Sequence, residues 1–174
     1  MANPRLTQAI KEAYAAAPDG EIVYNTIEMR HPSFTAPIRV VNNYEDILAR
    51  LEDTAPANPS TNQTFVAFPF MFTPPPQVEG SLPEATLEID NATREIVGYL
   101  EQAITSPNKI DVTWRPYLST QLLSGPQLDP PLHLQITEIS VDLFRVSARC
   151  VFNNLINVSF PSELYKIEDF PGLL

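Results

Sequence analysis

The chain has little of what most metal-binding and phosphate-binding proteins depend on. Among its 174 residues there are one cysteine, two histidines and five glycines. A single cysteine, Cys150, excludes an internal disulfide framework and a multi-cysteine metal site. Its place in an alternating segment predicts a small buried hydrophobe. Five glycines are few for a phosphate-binding loop or a nucleophile elbow, and neither motif is present.

Basic residues are also scarce, with 11 lysines and arginines against 21 acids and a net charge of −10. They never cluster, so we expect no binding to a nucleic-acid backbone. The first residues lack the apolar core of a signal peptide, and no apolar run approaches the roughly 20 residues of a membrane span. We therefore expect no membrane insertion, and synthesis and folding in a reducing cytoplasm.

The residue types that most often act in catalysis are dispersed along the chain. His31 falls in a predicted loop and His133 on the exposed face of a predicted strand, and their spacing gives no indication of a metal pair. Glu88 and Asp90 could imitate the two acids of a glycosidase, but solvated surface acids are the better interpretation. We predict no enzymatic activity, no cofactor and no metal site.

Proline is plentiful, with 18 residues, and it divides the chain into strands and stiff loops. The proline-rich loops are predicted at residues 54–63, 73–83 and 119–131. Alternating apolar residues predict about seven strands. These strands cover residues 21–29, 37–41, 64–72, 85–89, 110–115, 132–137 and 144–152. The first two and the last two should form hairpins. In the fifth, Trp114 should be buried and Thr113 and Arg115 should face solvent.

Three segments have features of helices. They are residues 5–17, residues 43–51 with Asn43 as the N-cap, and a segment that begins at Asp90 or Asn91 and ends near residue 106. Together with the strands they predict one α+β domain over residues 1–174. Its centre would be a mainly antiparallel β-sheet or barrel of about seven strands, with two to three helices, extended proline-rich loops and a C-terminal arm.

Two apolar sets are candidates for subunit contacts. Phe68, Phe70 and Phe72 share one strand face and are interpreted as core or subunit interface rather than as a sugar platform. The second set lies in the last fifteen residues, 160–174, which have no clear helical or strand period. An apolar tail of this kind must pack against its own domain or against another chain, and both alternatives stay open. Its candidate interface residues are Phe160, Leu164, Tyr165 and Phe170.

Several segments taken in order resemble a known family. They are His31–Phe34 with residues 37–41, Phe65–Phe70, Leu87–Asn91 with residues 94–96, Phe160-Pro161, and Phe170–Leu173. In this order they resemble the small tail-module proteins of long-tailed phages and prophages, a family treated as a domain of unknown function. More distantly, the chain is similar to the N-terminal part of minor tail protein L of lambda-like phages.

This resemblance implies a non-enzymatic virion protein of the tail tip or baseplate. Such a protein is a hub or distal ring that joins the tail tube to the central tip or fibre. It implies a homo-oligomeric ring, with a trimer favoured and a hexamer possible. It also implies contacts with the tube or distal tail protein, the tape measure and the central tip or fibre protein. The iron–sulfur segment of the lambda-like relative is not carried over, because Cys150 stands alone. The alternative is a β-rich module of the tail that binds a host-surface protein or glycan.

Overall fold

A computed structural model describes residues 21–75, 84–90, 106, 108–142 and 145–152. These residues form nine strands and one short 3-10 helix, Leu122–Ser124. The strands are β1 (Val23–Arg30), β2 (Ile38–Val41), β3 (Ile47–Arg50), β4 (Asn62–Ala67), β5 (Phe70–Thr73), β6 (Glu84–Asp90), β7 (Asp111–Leu118), β8 (Leu132–Val141) and β9 (Arg145–Val151). The predicted α+β class with two to three helices is therefore wrong for the described part of the chain. The predicted helices at residues 5–17 and after Asp90 lie outside the described residues.

The strands form one sheet in the order β3-β4-β2-β1-β7-β8-β9-β6-β5. It is a mixed sheet, because β2 and β4 are parallel while every other pair is antiparallel. The strand predicted over residues 64–72 divides at Pro69 into β4, which pairs with β2 and β3, and β5, which pairs with β6. Proline has no amide hydrogen to donate to a neighbouring strand, so the ladder ends there.

The helix predicted over residues 43–51 is wrong, because its second half is strand β3. Ile47 and Ala49 are buried while Leu48 and Arg50 are exposed, which is the period of two of a strand with one covered face. Asp46 does not serve a helix dipole, since its Oδ1 accepts a hydrogen bond from the amide of Ala67, 2.8 Å away. Burial against the neighbouring strand β4 outweighs the local helical signals.

Both predicted hairpins are confirmed, as β1–β2 and β8–β9. Seven strands, all except β3 and β4, contribute side chains to one large apolar core. That core includes Ile27 of β1, Phe70 of β5, Leu87 of β6 and Val112 of β7. Strands that lie far apart in the sheet order can share one core only if the sheet curves strongly, so the apolar side faces inward.

A second, smaller core lies on the opposite side of the sheet, beneath the β3–β4 hairpin. It includes Val41, Ile47, Leu51 and Phe65, with the fully buried Tyr117 of β7. The Tyr117 hydroxyl donates a hydrogen bond to the carbonyl of Arg50 at 2.9 Å. The hairpin is thus folded back over β7, which places the loop between its two strands across the sheet.

Cys150 is fully buried in the large core, as predicted. Burial raises the pKa of its thiol to about 12, so almost no thiolate exists at neutral pH. We expect no reaction with a disulfide reagent such as dithionitrobenzoate while the protein is folded. In guanidinium chloride the same sample should show one thiol per chain. Rapid labelling of the folded protein would show that β9 opens to solvent far more often than this core allows.

Candidate functional site

Polar side chains occupy the middle of the sheet on the side opposite the large core. Strand pairing sets Arg39 of β2, Glu28 of β1, Thr113 of β7 and His133 of β8 in one row. Thr113 and Arg115 were predicted to face solvent, and this prediction is wrong. Glu28, Thr113 and Arg115 have no exposed surface. The loop of residues 51–61 reaches this face of the sheet, where its Glu52 binds Arg115.

Arg115 is the centre of this covered network. Its Nε and Nη2 donate to Glu52 Oε2 and Oε1 at 2.7 and 2.8 Å, a two-point contact, and Nη2 lies 3.6 Å from Glu28 Oε1. Burial acts to lower the pKa of Arg115, but the hydrogen bonds to Glu52 and the charges of Glu28 and Glu52 outweigh it. The pKa is raised, and the guanidinium stays charged inside the protein.

Arg39 holds the same loop at a second point. Its Nε lies 2.7 Å from Glu28 Oε2, and its Nη2 donates to Asn58 Oδ1 at 3.0 Å. Its Nη1 donates to Gln63 Oε1, also at 3.0 Å. The loop is therefore fastened to the sheet through Glu52 near its start and Asn58 near its end.

The loop itself has an unusual backbone. Asn58 and Ser60 adopt φ angles of 56° and 58°, a left-handed conformation that costs free energy in residues other than glycine. Local bonds hold it in place, since the Ser60 amide donates to the carbonyl of Glu52 and its hydroxyl to Asp53 Oδ1. The Leu51 amide donates to the carbonyl of Thr61 and closes the loop at its base. The result is a compact cover with a defined shape.

Three guanidiniums and two carboxylates form the network, and a further carboxylate, that of Asp111, belongs to the residue opposite Arg30 in the pairing of β1 with β7. Arg115 is paired with Glu52 and Arg39 with Glu28, so the third guanidinium, that of Arg30, has the weakest partner. Its Nε lies 3.3 Å from Glu28 Oε1, without hydrogen-bond geometry. Within the described residues, three buried side-chain atoms have no hydrogen-bond partner, and all three belong to this network: Glu28 Oε1, Arg30 Nε and Arg115 Nη1.

Arg30 also opens onto solvent, through two adjoining cavities that we call the Arg30 cleft. The two share Arg30, Pro56 of the loop and Asp111 as lining residues. The first, of about 210 Å³, is completed by His133, Leu134 and Gln135. The second, of about 280 Å³, is completed mainly by the 31–37 turn, including His31 and Phe34. Gln135 Nε2 donates to Asp111 Oδ1 at 3.0 Å and fixes that carboxylate.

The two histidines border different halves of the cleft. His133 Nδ1 lies 3.0 Å from Thr113 Oγ1, and its pKa is lowered by desolvation and then by the charge of Arg115. His31 is buried in the turn, where Nδ1 is 2.6 Å from Ser33 Oγ and Nε2 is 3.2 Å from the carbonyl of Asn108. In the described ranges, no three His, Cys, Asp or Glu side chains are grouped as a metal site would require.

The predicted interface residues are only partly within the described chain. Phe70 is 5% exposed and belongs to the large core, while Phe68 and Phe72 are half-buried against that core. The Phe72 ring lies 5.3 Å from that of Trp114. The tail residues Phe160, Leu164, Tyr165 and Phe170 lie outside the described residues. Of Phe68, Phe70 and Phe72, only Phe68 and Phe72 have surface left for contact with another subunit.

The remaining sequence candidate, Glu88, pairs with Arg145, with 3.1 Å between Oε2 and Nη1.

Sequence reasoning missed the charge network altogether. One signal was available, since Glu28 stands between Ile27 and Met29 in the middle of an apolar strand. A charge in that setting needs a partner.

Across the described part of the chain, no helix has the length and apolarity needed to cross a bilayer.

Comparison with known proteins gives a family but no activity. No curated protein matches the chain. A family model described as a domain of unknown function (DUF1833) matches residues 9–165. Because that match covers most of the sequence, the chain belongs to this family.

Proposed function

We propose that this member of the DUF1833 family is a structural protein of a phage tail tip or baseplate. It would act as a hub or distal ring that self-assembles and connects the tail tube to the central tip or fibre. The proposal starts from a series of sequence segments, from His31–Phe34 to Phe170–Leu173. Taken in the order in which they occur in the chain, these segments resemble phage tail-module proteins. It assigns the chain a role in assembly, without catalysis.

The strongest structural support for this proposal is an exposed apolar surface on the β3–β4 hairpin. Leu48 and Val66 are 50% and 52% exposed, and Tyr44, in the turn before β3, is fully exposed. Leu48 pairs with Thr64, which makes Val66 its diagonal neighbour on the same face of the hairpin. We call Tyr44, Leu48 and Val66 the hairpin patch.

The hairpin patch continues a face that is buried elsewhere in the sheet. Val66 lies beside Val40 in the parallel β2–β4 pair, and Val40 is part of the large core. Beyond Val40, the described strand positions on that face, Leu48, Thr64 and Val66, are all exposed. A tyrosine with two aliphatic neighbours on an open sheet face has the composition of a protein–protein contact.

The buried charges are consistent with the same role. Arg115, Arg39 and their acidic partners hold the 51–61 loop against the sheet, which stabilises the scaffold behind the hairpin patch. A rigid subunit loses little conformational freedom on assembly. Head-to-tail contacts between such subunits close a ring, for which we favour three-fold symmetry and keep six-fold symmetry as the second choice.

The test is the mass of the purified full chain, measured by light scattering over a wide concentration range. We expect oligomers in multiples of three. The double substitution Leu48→Asp and Val66→Asp should shift the protein towards the monomer, because two charges would then have to be buried in the contact. Thr86→Asp, at an exposed position of β6, is the matched control and should leave the mass unchanged.

A wild-type protein that stays monomeric at every concentration would overturn the self-assembling ring. If that monomer bound host-surface glycans, the alternative of a binding module would replace it. Gene order gives an independent check, since we expect a tape-measure gene upstream and other tail genes nearby.

A further inference from the structure

We propose that the Arg30 cleft binds a small ligand with a single carboxylate group and an apolar body. The site is separate from the hairpin patch, and the proposal does not depend on assembly. It rests on the unpaired Nε of Arg30, on the position of that side chain and on the lining of the cleft.

Among the three arginines of the network, Arg30 has the weakest contact with a network carboxylate. Glu52 is engaged by Arg115 at two points, and Glu28 has its short contact with Arg39. Arg30 reaches only Glu28, at 3.3 Å, and its buried Nε donates no hydrogen bond. A guanidinium whose donors are not used by the fold is the group that recognises a carboxylate.

The side chain of Arg30 also connects the network to solvent. It is 21% exposed and lines both cavities of the cleft, so a ligand in either cavity would contact it. Arg115 contacts the same Glu28 oxygen as Arg30, and it has Nη1 unpaired and no exposed surface. Two guanidiniums with unpaired nitrogen atoms therefore share one carboxylate oxygen, and of these two Arg30 is the one that lines the cleft. A chain with a net charge of −10 has little general attraction for anions, so binding here requires this local arrangement.

Asp111 restricts which anion can enter. It lines both cavities, and its Oδ1 is fixed by Gln135 Nε2. A carboxylate places a single charge at Arg30, whereas a doubly charged phosphate loses more hydration on entry, and one guanidinium opposed by the Asp111 carboxylate does not offset that loss. Pro56 lines both cavities, and Phe34, Ala36 and Ala57 line the larger one, which favours an apolar body beside the carboxylate. The cavity volumes, about 210 and 280 Å³, suit a small molecule or one side chain.

The experiment uses benzoate as the probe and nuclear magnetic resonance of the labelled full chain as the readout. We expect saturable shifts at the His133 ring and at the Arg30 Nε–H signal. Benzyl alcohol has the same body without the charge, and phosphate has charge without the body. Both should bind at least about tenfold more weakly than benzoate.

Two variants test the assignment in opposite directions. Arg30→Gln should weaken benzoate binding about tenfold or more, while Arg149→Gln, an exposed strand arginine outside the cleft, should leave it unchanged. Asp111→Asn keeps an acceptor for Gln135 and removes the opposing charge. It should strengthen benzoate binding by about threefold to tenfold and raise the affinity for phosphate.

Three results would overturn the proposal. In the first, the benzoate-induced shifts do not saturate, or they do not occur at His133 and Arg30. The unpaired nitrogen atoms would then be hydrated and would not bind a carboxylate. The second is equal binding of phosphate and benzoate by the wild-type protein. The third is an Asp111→Asn variant whose affinities equal those of the wild type, a result that stands even if Arg30→Gln fails to fold.

Discussion

Replacement of Arg115 by methionine is expected to lower the free energy of unfolding by about 3–5 kcal/mol. Methionine fills much of the same space, so loss of packing volume is not the main cause. The substitution leaves Glu52, which belongs to the 51–61 loop, and Glu28 of β1 without the guanidinium that lies 2.7 and 3.6 Å from them. A buried carboxylate that loses its partner keeps the full cost of its removal from water.

Urea unfolding followed by circular dichroism measures this effect as a shift in midpoint at constant slope. The matched control is Arg149→Gln, since Arg149 is also a strand arginine with two acidic partners, Glu84 and Glu138, each at 3.5 Å. Those pairs are exposed, so the control should cost about 0–1 kcal/mol. An equal loss in the two variants would mean that Arg115 is no more important to the fold than a surface charge.

Phe65→Ala should also be strongly destabilising, by about 3–5 kcal/mol. The Phe65 side chain is fully buried in the smaller core, and its ring centre lies 6.0 Å from that of Tyr117. Its removal opens a cavity between the β3–β4 hairpin and β7, which hydrogen bonds and strand pairing hold too firmly to collapse.

The next residue along β4 provides the control. Val66 points to the opposite face and is half exposed, so Val66→Ala should change the free energy of unfolding by no more than about 0.5 kcal/mol. Thermal or urea unfolding of the two variants distinguishes the faces directly. Similar losses from both would show that the hairpin patch is covered in the free protein, and this would remove the support it gives to assembly.

Much of the β-structure could be predicted from local pattern. The hairpins β1–β2 and β8–β9 follow from apolar alternation, and the burial of Cys150 follows from its place in β9. Local pattern was misleading at residues 47–50, where Asn43, Glu45 and Asp46 resemble a helix start. There the outcome depends on Phe65, which lies opposite Ile47 in the sheet and far from it in sequence.

The candidate site was much less predictable than the strands. Arg115 and Glu52 are 63 positions apart, and nothing in either neighbourhood indicates that they meet. Alternation correctly separates the two faces of β7, but it cannot tell whether a polar face is covered by water or by a loop. His133 was correctly placed on an exposed face, and His31 in a turn, yet neither position indicated a cleft around Arg30.

The way the 51–61 loop is anchored determines how this loop opens to solvent. Its two anchors, Glu52 and Asn58, bind arginines that both contact Glu28, so release of one anchor weakens the electrostatic balance at the other. The loop should therefore detach as a single cooperative unit rather than fray from one end. In hydrogen exchange, the amides of Leu51 and Ser60, which lie at opposite ends of the loop, would then share one opening free energy.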